Sequence, residues 1–123
     1  MAKAAPKTHD AHLFDMLESA RLIRGYVAGV GWEEFWQNSE KRDAVALRIS
    51  VLGEAARKID QATEAAPPGI PFESIRGMRN RIAQDYGAVD FKIVWAVTQE
   101  EIEPLIAGLE RYFKGRAVPD LGD

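Results

Sequence analysis

Apolar residues recur at helical spacing along most of this chain, and glycine- or proline-rich breaks divide the pattern into segments. From His9 to about Ala28, the residues Leu13, Met16, Leu17, Ala20, Ile23 and Val27 fall on one stripe, and Gly29 and Gly31 end it. Trp32-Glu33-Glu34-Phe35-Trp36 then reads as a short amphipathic turn whose aromatics cover one end of the core. A long second helix follows, for which Ser39 is the expected cap; Arg42 rather than Glu stands three residues on, so no capping box forms. Val45, Ile49, Leu52, Ala56 and Ile59 make its main stripe, and Leu47, Val51 and Ala55 widen it. That predicts a central helix buried on two sides, with Gly53 allowing another helix to approach closely. The run from Ala65 to Pro71 carries three prolines that cannot continue a helix, and Pro71 presets the start of the next.

That next segment is the most polar helical stretch in the chain. Over residues 74 to 86, at about 100° per residue, Ile75, Arg79, Ile82 and Tyr86 share one stripe, while Asn80 and Gln84 form a second pair offset from it. With only Ile75, Met78 and Ile82 apolar, the segment is expected to turn part of its surface to a cleft, a partner or water. Gly87 offers a stop, and periodicity resumes from Val89 to Phe113 through Phe91, Val94, Trp95, Ile102, Leu105, Leu109 and Tyr112. Pro104 interrupts this last element. Thr98 with Glu101 three residues on has capping-box spacing, so a bend or restart is expected near Thr98. No alternating strand pattern and no repeat occurs. The pattern therefore predicts an all-α, up-and-down helical bundle of four main helices plus short helical turns, over residues 9–114. A polar arm (1–8) precedes it, and a frayed tail (115–123) follows.

Composition narrows the chemistry. The chain has 123 residues, 46% of them hydrophobic, enough for one domain with a real core. It has no cysteine, which excludes disulfides, thiolate metal sites and a cysteine nucleophile and fits a cytoplasmic protein. No run is long and apolar enough to cross a bilayer, so no membrane association is expected. A net charge of −3 argues against indiscriminate coating of nucleic acid, yet Arg76, Arg79 and Arg81 can concentrate positive potential locally. Solvated or paired arginines are the commoner case. The two histidines, His9 and His12, supply no third metal ligand, so no metal or cofactor is expected.

Several residues carry a resemblance. Glu54-Ala55-Ala56, the Pro71-to-Gly77 lead-in, Arg79-Asn80, Asp85-Tyr86 and Val94-Trp95 together resemble the HEPN domain found as toxin in paired HEPN and nucleotidyltransferase toxin–antitoxin modules, over about Asp10 to Phe113. The resemblance implies a dimerising helical bundle and a metal-independent endoribonuclease, with two motifs meeting at the dimer interface. It further implies a nucleotidyltransferase antitoxin that silences the toxin by attaching AMP to the motif tyrosine, here Tyr86.

The family motif is an arginine and a polar residue, then a histidine, then a tyrosine two positions later. Arg79, Asn80 and Tyr86 match, but the histidine position holds Gln84. Arginine neutralises the scissile phosphate, and Arg79 retains that ability. Histidine moves protons, and a primary amide does not do so near neutral pH, a loss of roughly 10²–10⁴-fold. The resemblance thus implies an impaired chain that still binds RNA. Engineering to spare an expression host, natural loss, or rescue by another group are the open origins of Gln84; engineering or natural loss ranks above rescue. A non-catalytic module that binds the nucleotidyltransferase is the competing reading.

Arg76, Arg81, Asp85 and Glu54 are supporting candidates. Glu54 is expected to pair with Lys58 one turn on, with a carboxylate contact to Arg79 as the alternative. Tyr86 can be a modification site, a packed ring at a helix end, or both.

Overall fold

The structure is a computed structural model that describes residues 8–59, 69–84 and 89–116, with the side chains of 82–84 outside that description. Among the described residues the regular secondary structure is all helical, with α1 (His9–Val27), α2 (Trp32–Gln37), α3 (Ser39–Arg57), α4 (Phe72–Gln84), α5 (Phe91–Glu100) and α6 (Ile102–Phe113). The all-α bundle expected from the periodicity is what is found.

Helix α3 is the centre. It packs against α1 on one flank and α4 on another, and it also touches α2 and α5. Val45, Ile49, Leu52, Ala55 and Ala56 are buried along it and meet Leu13, Met16, Leu17, Ala20 and Ile23 of α1 and Ile102, Leu105, Ile106 and Leu109 of α6 in one core. Each fully buried aliphatic contributes about 1.5–3 kcal/mol of transfer free energy. Leu47 departs from the expected stripe. It is 59% exposed, because its position on the helix rotates it past the α1 and α4 contacts into solvent.

Two helix starts are set by residues other than those the spacing suggested, while Gly29 ends α1 as expected. Asn38, not Ser39, caps α3: its Oδ1 accepts the Lys41 amide at 3.0 Å, and Ser39 is the first helical residue. Thr8, grouped with the arm on sequence, caps α1 by accepting the Ala11 amide at 3.1 Å. Asp90 caps α5 through the Lys92 amide at 2.9 Å. At the other end of α1, Gly29 takes φ +70°, a left-handed turn natural to glycine. Lys41 Nζ donates to the Tyr26 carbonyl at 2.6 Å, tying the start of α3 to the end of α1.

The break near the C-terminus falls at Glu101 rather than at Thr98. Thr98 is buried within α5 and donates its hydroxyl to the Trp95 carbonyl at 2.7 Å, so it is not available as a cap. Pro104 lies in the first turn of α6, where a missing N–H costs nothing, so it starts a helix instead of kinking one. The tail is anchored at its beginning. Arg116 stacks on Tyr112 at 4.1 Å and faces Asp10 at 3.6 Å, and Tyr112 donates to Asp10 at 2.6 Å, joining α6 to α1.

One end of the bundle is closed by aromatic rings. Phe35 is fully buried against Trp95, with ring centroids 5.0 Å apart; Trp32 packs against both rings, and Trp36 joins Trp32 to Phe91. This is the capping role expected of the Trp32–Trp36 segment.

Candidate active site

Helix α4 carries the arginine motif, and its seat on α3 is built from Phe72 and Ile75, both buried. Of the apolar residues expected to anchor this helix, Ile75 is buried, Met78 is half-buried and the Ile82 side chain lies outside the described residues; Phe72 was not among them. The next residue on that stripe is Arg79, one turn after Ile75, and it lands on Gly53. A Cβ at position 53 would overlap the Arg79 Cβ and stand 2.6 Å from its Cγ and 3.2 Å from the Ile75 carbonyl oxygen. The close approach expected at Gly53 is therefore real, and its partner is the motif arginine.

The arginine stem lies on bare backbone, which leaves its guanidinium free to reach along α3 to the next residue. Arg79 Nη2 stands 3.4 Å from Glu54 Oε2, and Arg79 Nη1 donates to Asn80 Oδ1 at 3.4 Å. Glu54 gives its other oxygen, Oε1, to Arg57 Nη2 at 2.8 Å. The i,i+3 partner thus displaces Lys58, the expected partner, which contributes only its charge. The hydrogen bond from Arg57 is the main reason that the Glu54 carboxyl is held below its ordinary value, assisted by the charges of Arg57, Arg79 and Lys58 and opposed by partial desolvation. The same bond raises Arg57. Glu54 is thus an anion across the neutral range, and Arg79 keeps about a third of its side chain in solvent.

The other candidates divide. Arg76 turns back toward α3, with Nη1 3.4 Å from the Ala56 carbonyl in the last turn, where the helix dipole favours a cation. Arg81 and Asn80 are exposed. Ser74 donates to Glu101 at 3.0 Å, which ties α4 to the α5–α6 break. The Gln84 backbone closes α4, but its side chain, together with Ile82, Asp85 and Tyr86, lies outside the described residues, as does the expected stop at Gly87. Among the described residues no three His, Asp or Glu side chains gather to hold a metal ion, and no helix is long and apolar enough to cross a membrane.

The ribonuclease HepT-like family matches residues 16–112. The chain belongs to the HepT-like ribonuclease family. That span runs from the first helix to the last and includes the whole Gly53–Arg79 contact. Among HepT-like relatives, a Methanocaldococcus jannaschii protein named "Putative RNase MJ1216" is 33% identical over 104 residues, 85% of this chain and 86% of that protein. A Thermococcus cleftensis protein named "Probable ribonuclease HepT" is 26% identical over 108 residues, 88% of this chain and 98% of that one. No solved structure matches the chain significantly. The HEPN resemblance read from Arg79-Asn80 and its surroundings is borne out at the level of the family.

Proposed function

We propose that this HepT-like chain is the toxin subunit of a toxin–antitoxin module, an RNA-binding protein built for metal-independent endoribonuclease chemistry and impaired at Gln84. The observation that carries the reading is the Glu54–Arg79 pair seated on Gly53. A cation with a third of its side chain in solvent, held in place by a carboxylate and a side-chain amide, still has N–H groups with which to meet phosphate oxygens.

In the reaction such a site serves, the 2′-oxygen forms a bond to phosphorus while the bond from phosphorus to the 5′-oxygen breaks. The 2′-hydroxyl proton must leave, and the 5′-oxygen must receive one. Arg79 stabilises the charge on the phosphate, and Asn80 holds the guanidinium and contributes a polar group beside it. Gln84 hydrogen-bonds but transfers no proton, so binding outlasts cleavage. The composite site formed by two copies across a homodimer interface is taken from the HEPN resemblance, each copy contributing its own Arg79 and Asn80. Arg81 belongs to the rim of that site by its exposure, and Asp85 is a supporting candidate by its place in the motif alone.

The nucleotidyltransferase partner is proposed to neutralise the site by AMPylation of Tyr86. An adenylate two residues beyond Gln84 would bring negative charge and bulk to the arginine end of α4 and exclude an RNA phosphate. A second reading, a non-catalytic nucleotidyltransferase-binding module, is favoured by one observation, the glutamine itself.

RNA cleavage with chelator present separates the two. The unchanged chain, Gln84→His, and Gln84→His with Arg79→Ala are compared. Cleavage by the single change and not by the double identifies a ribonuclease lacking its proton-transfer group; no cleavage by any of them favours the binding module. A histidine encoded at position 84 in the source genome would favour the enzyme, and a glutamine the module.

A further inference from the structure

A second cluster of chemistry lies outside the Arg79 site. Trp32, Glu33, Trp36, Val89, Asp90, Phe91 and Lys92 line an open cavity of about 460 Å³ between α2 and the start of α5, large enough for a nucleoside. Its wall is a stack. The Trp32 and Trp36 rings lie 5.8 Å apart at 23°, and the Arg42 guanidinium sits 4.7 Å from the Trp36 centroid and 5.1 Å from that of Phe91. Among the described residues Arg42 Nε is buried without a hydrogen-bond partner, and the guanidinium is held by the rings. Trp36 is nevertheless 46% exposed, an unusual fraction for the largest apolar side chain in a small domain. Trp36 is thus packed by Trp32 and Arg42 while much of the residue stays exposed where it lines the cavity.

The position of this cavity relates it to the motif arginine. Arg42 and Gly53, on which Arg79 rests, are eleven residues apart on α3. Eleven residues at 100° make three turns plus about 20°, so the two lie on the same flank of the helix about 16 Å apart along its axis. Val89 follows Gln84 by five residues, so the cavity lies within about 18 Å of the end of α4. That separation suits a few nucleotides of single strand.

We infer that the Trp32–Trp36–Phe91 cavity is a subsite that stacks one unpaired base of a single-stranded RNA whose phosphate is held at Arg79. The inference rests on the RNA reading above and adds a second point of contact to it. Charge favours a base over a phosphate inside the cavity. Glu33 and Asp90 repel a phosphate but accept hydrogen bonds from the ring N–H and amino groups of a base, while exposed Lys92 offers a cation to the backbone beside it. Aromatic stacking tolerates any base, so the carboxylates supply what preference there is, toward bases presenting two adjacent donors such as guanine.

The test is binding of a short fluorescein-labelled single-stranded RNA, fully 2′-O-methylated so that it is not cut, read by anisotropy with the full chain. Trp36→Ala should weaken binding roughly 5- to 100-fold, the range expected for one lost stacking contact. Trp36→Phe keeps a stacking ring and should stay near the unchanged chain, and Lys92→Ala should lower the salt slope by about one phosphate contact. An abasic strand of equal length should bind the unchanged chain and Trp36→Ala alike. Circular dichroism checks that each variant is folded, with Leu22→Ala as a surface control. If Arg79→Ala weakens RNA binding while Trp36→Ala does not, the subsite inference falls and the RNA reading stands. If the unchanged chain fails to bind the strand, both fall. If Trp36→Ala leaves RNA binding intact but releases a protein partner, the cavity is a protein-docking surface and the inference is overturned.

Discussion

Replacing Gly53 with alanine sets two effects of opposite sign against each other. In the interior of a helix, exchanging glycine for alanine stabilises by up to about 1 kcal/mol through backbone entropy and propensity. At position 53 the added methyl would overlap the Arg79 Cβ and lie 2.6 Å from its Cγ. Carbon pairs rest at about 3.5–4.0 Å, so α4 must retreat by at least about 1 Å. The Ile75 carbonyl at 3.2 Å is backbone and cannot swing aside, so the whole helix must move. Overpacking of this kind costs about 1–3 kcal/mol, which exceeds the propensity gain over most of its range. The expected net is a destabilisation of up to about 2 kcal/mol by urea unfolding followed at 222 nm. Gly77, on α4, is the internal control: among the described residues a Cβ there meets nothing within 4 Å, so Gly77→Ala should stabilise by up to about 1 kcal/mol. A retreat of about 1 Å also carries the 3.4 Å Arg79–Glu54 contact beyond ion-pair range and misplaces the guanidinium. In the Gln84→His background, cleavage by Gly53→Ala should fall about 10²-fold. Stabilisation of Gly53→Ala equal to that of Gly77→Ala, with RNA cleavage intact, would refute the claim that this glycine exists to seat the arginine.

Glu54→Gln removes the charge that steers Arg79 and should weaken RNA binding; unchanged anisotropy would dismiss the steering role. Because the folded-state pKa of Glu54 is lowered, its contribution is present above the ordinary carboxyl value and lost as pH falls through the lower folded value, so an acid titration of stability should lose a component in Glu54→Gln. The Tyr112 phenol is raised, first by burial and then by its bond to Asp10, so that bond stabilises fully below the ordinary phenol value and is lost as pH rises through the higher folded one. Tyr112→Phe should cost about 1–2 kcal/mol near neutrality and flatten the alkaline loss of stability; an unaltered alkaline slope would dismiss the bond. Light scattering at micromolar concentration should give a dimer, and a clean monomer would undercut the composite site.

How far the sequence could be read depended on whether one residue or a contact between two decided the outcome. The stripes of α1 and α3 were legible because a helical period and a bundle are properties of single elements, and nearly every stripe residue is buried. Leu47 escaped because exposure depends on which neighbours arrive, which no period encodes. The α3 cap was missed by one position: Asn38 and Ser39 are both good caps, and the choice between them lies in the φ −104°, ψ 95° backbone of Asn38. The same division runs through the candidate site. Arg79 and Gly53 were each singled out, for charge and for the absence of a side chain, yet nothing in their spacing could say that one rests on the other. Once that contact is known, the order of Gly53 and Glu54 becomes intelligible. Position 53 must be bare so that the arginine stem can lie flat, and position 54, about 100° around the same helix, is the nearest place from which a carboxylate can meet the guanidinium. The Arg57 pairing then follows, since an i,i+3 cation holds that carboxylate charged while its other oxygen faces Arg79. The two consecutive residues on α3 thus act as a single seat for the motif arginine. An exchange of their order, Gly53→Glu with Glu54→Gly, would keep the composition and destroy the arrangement.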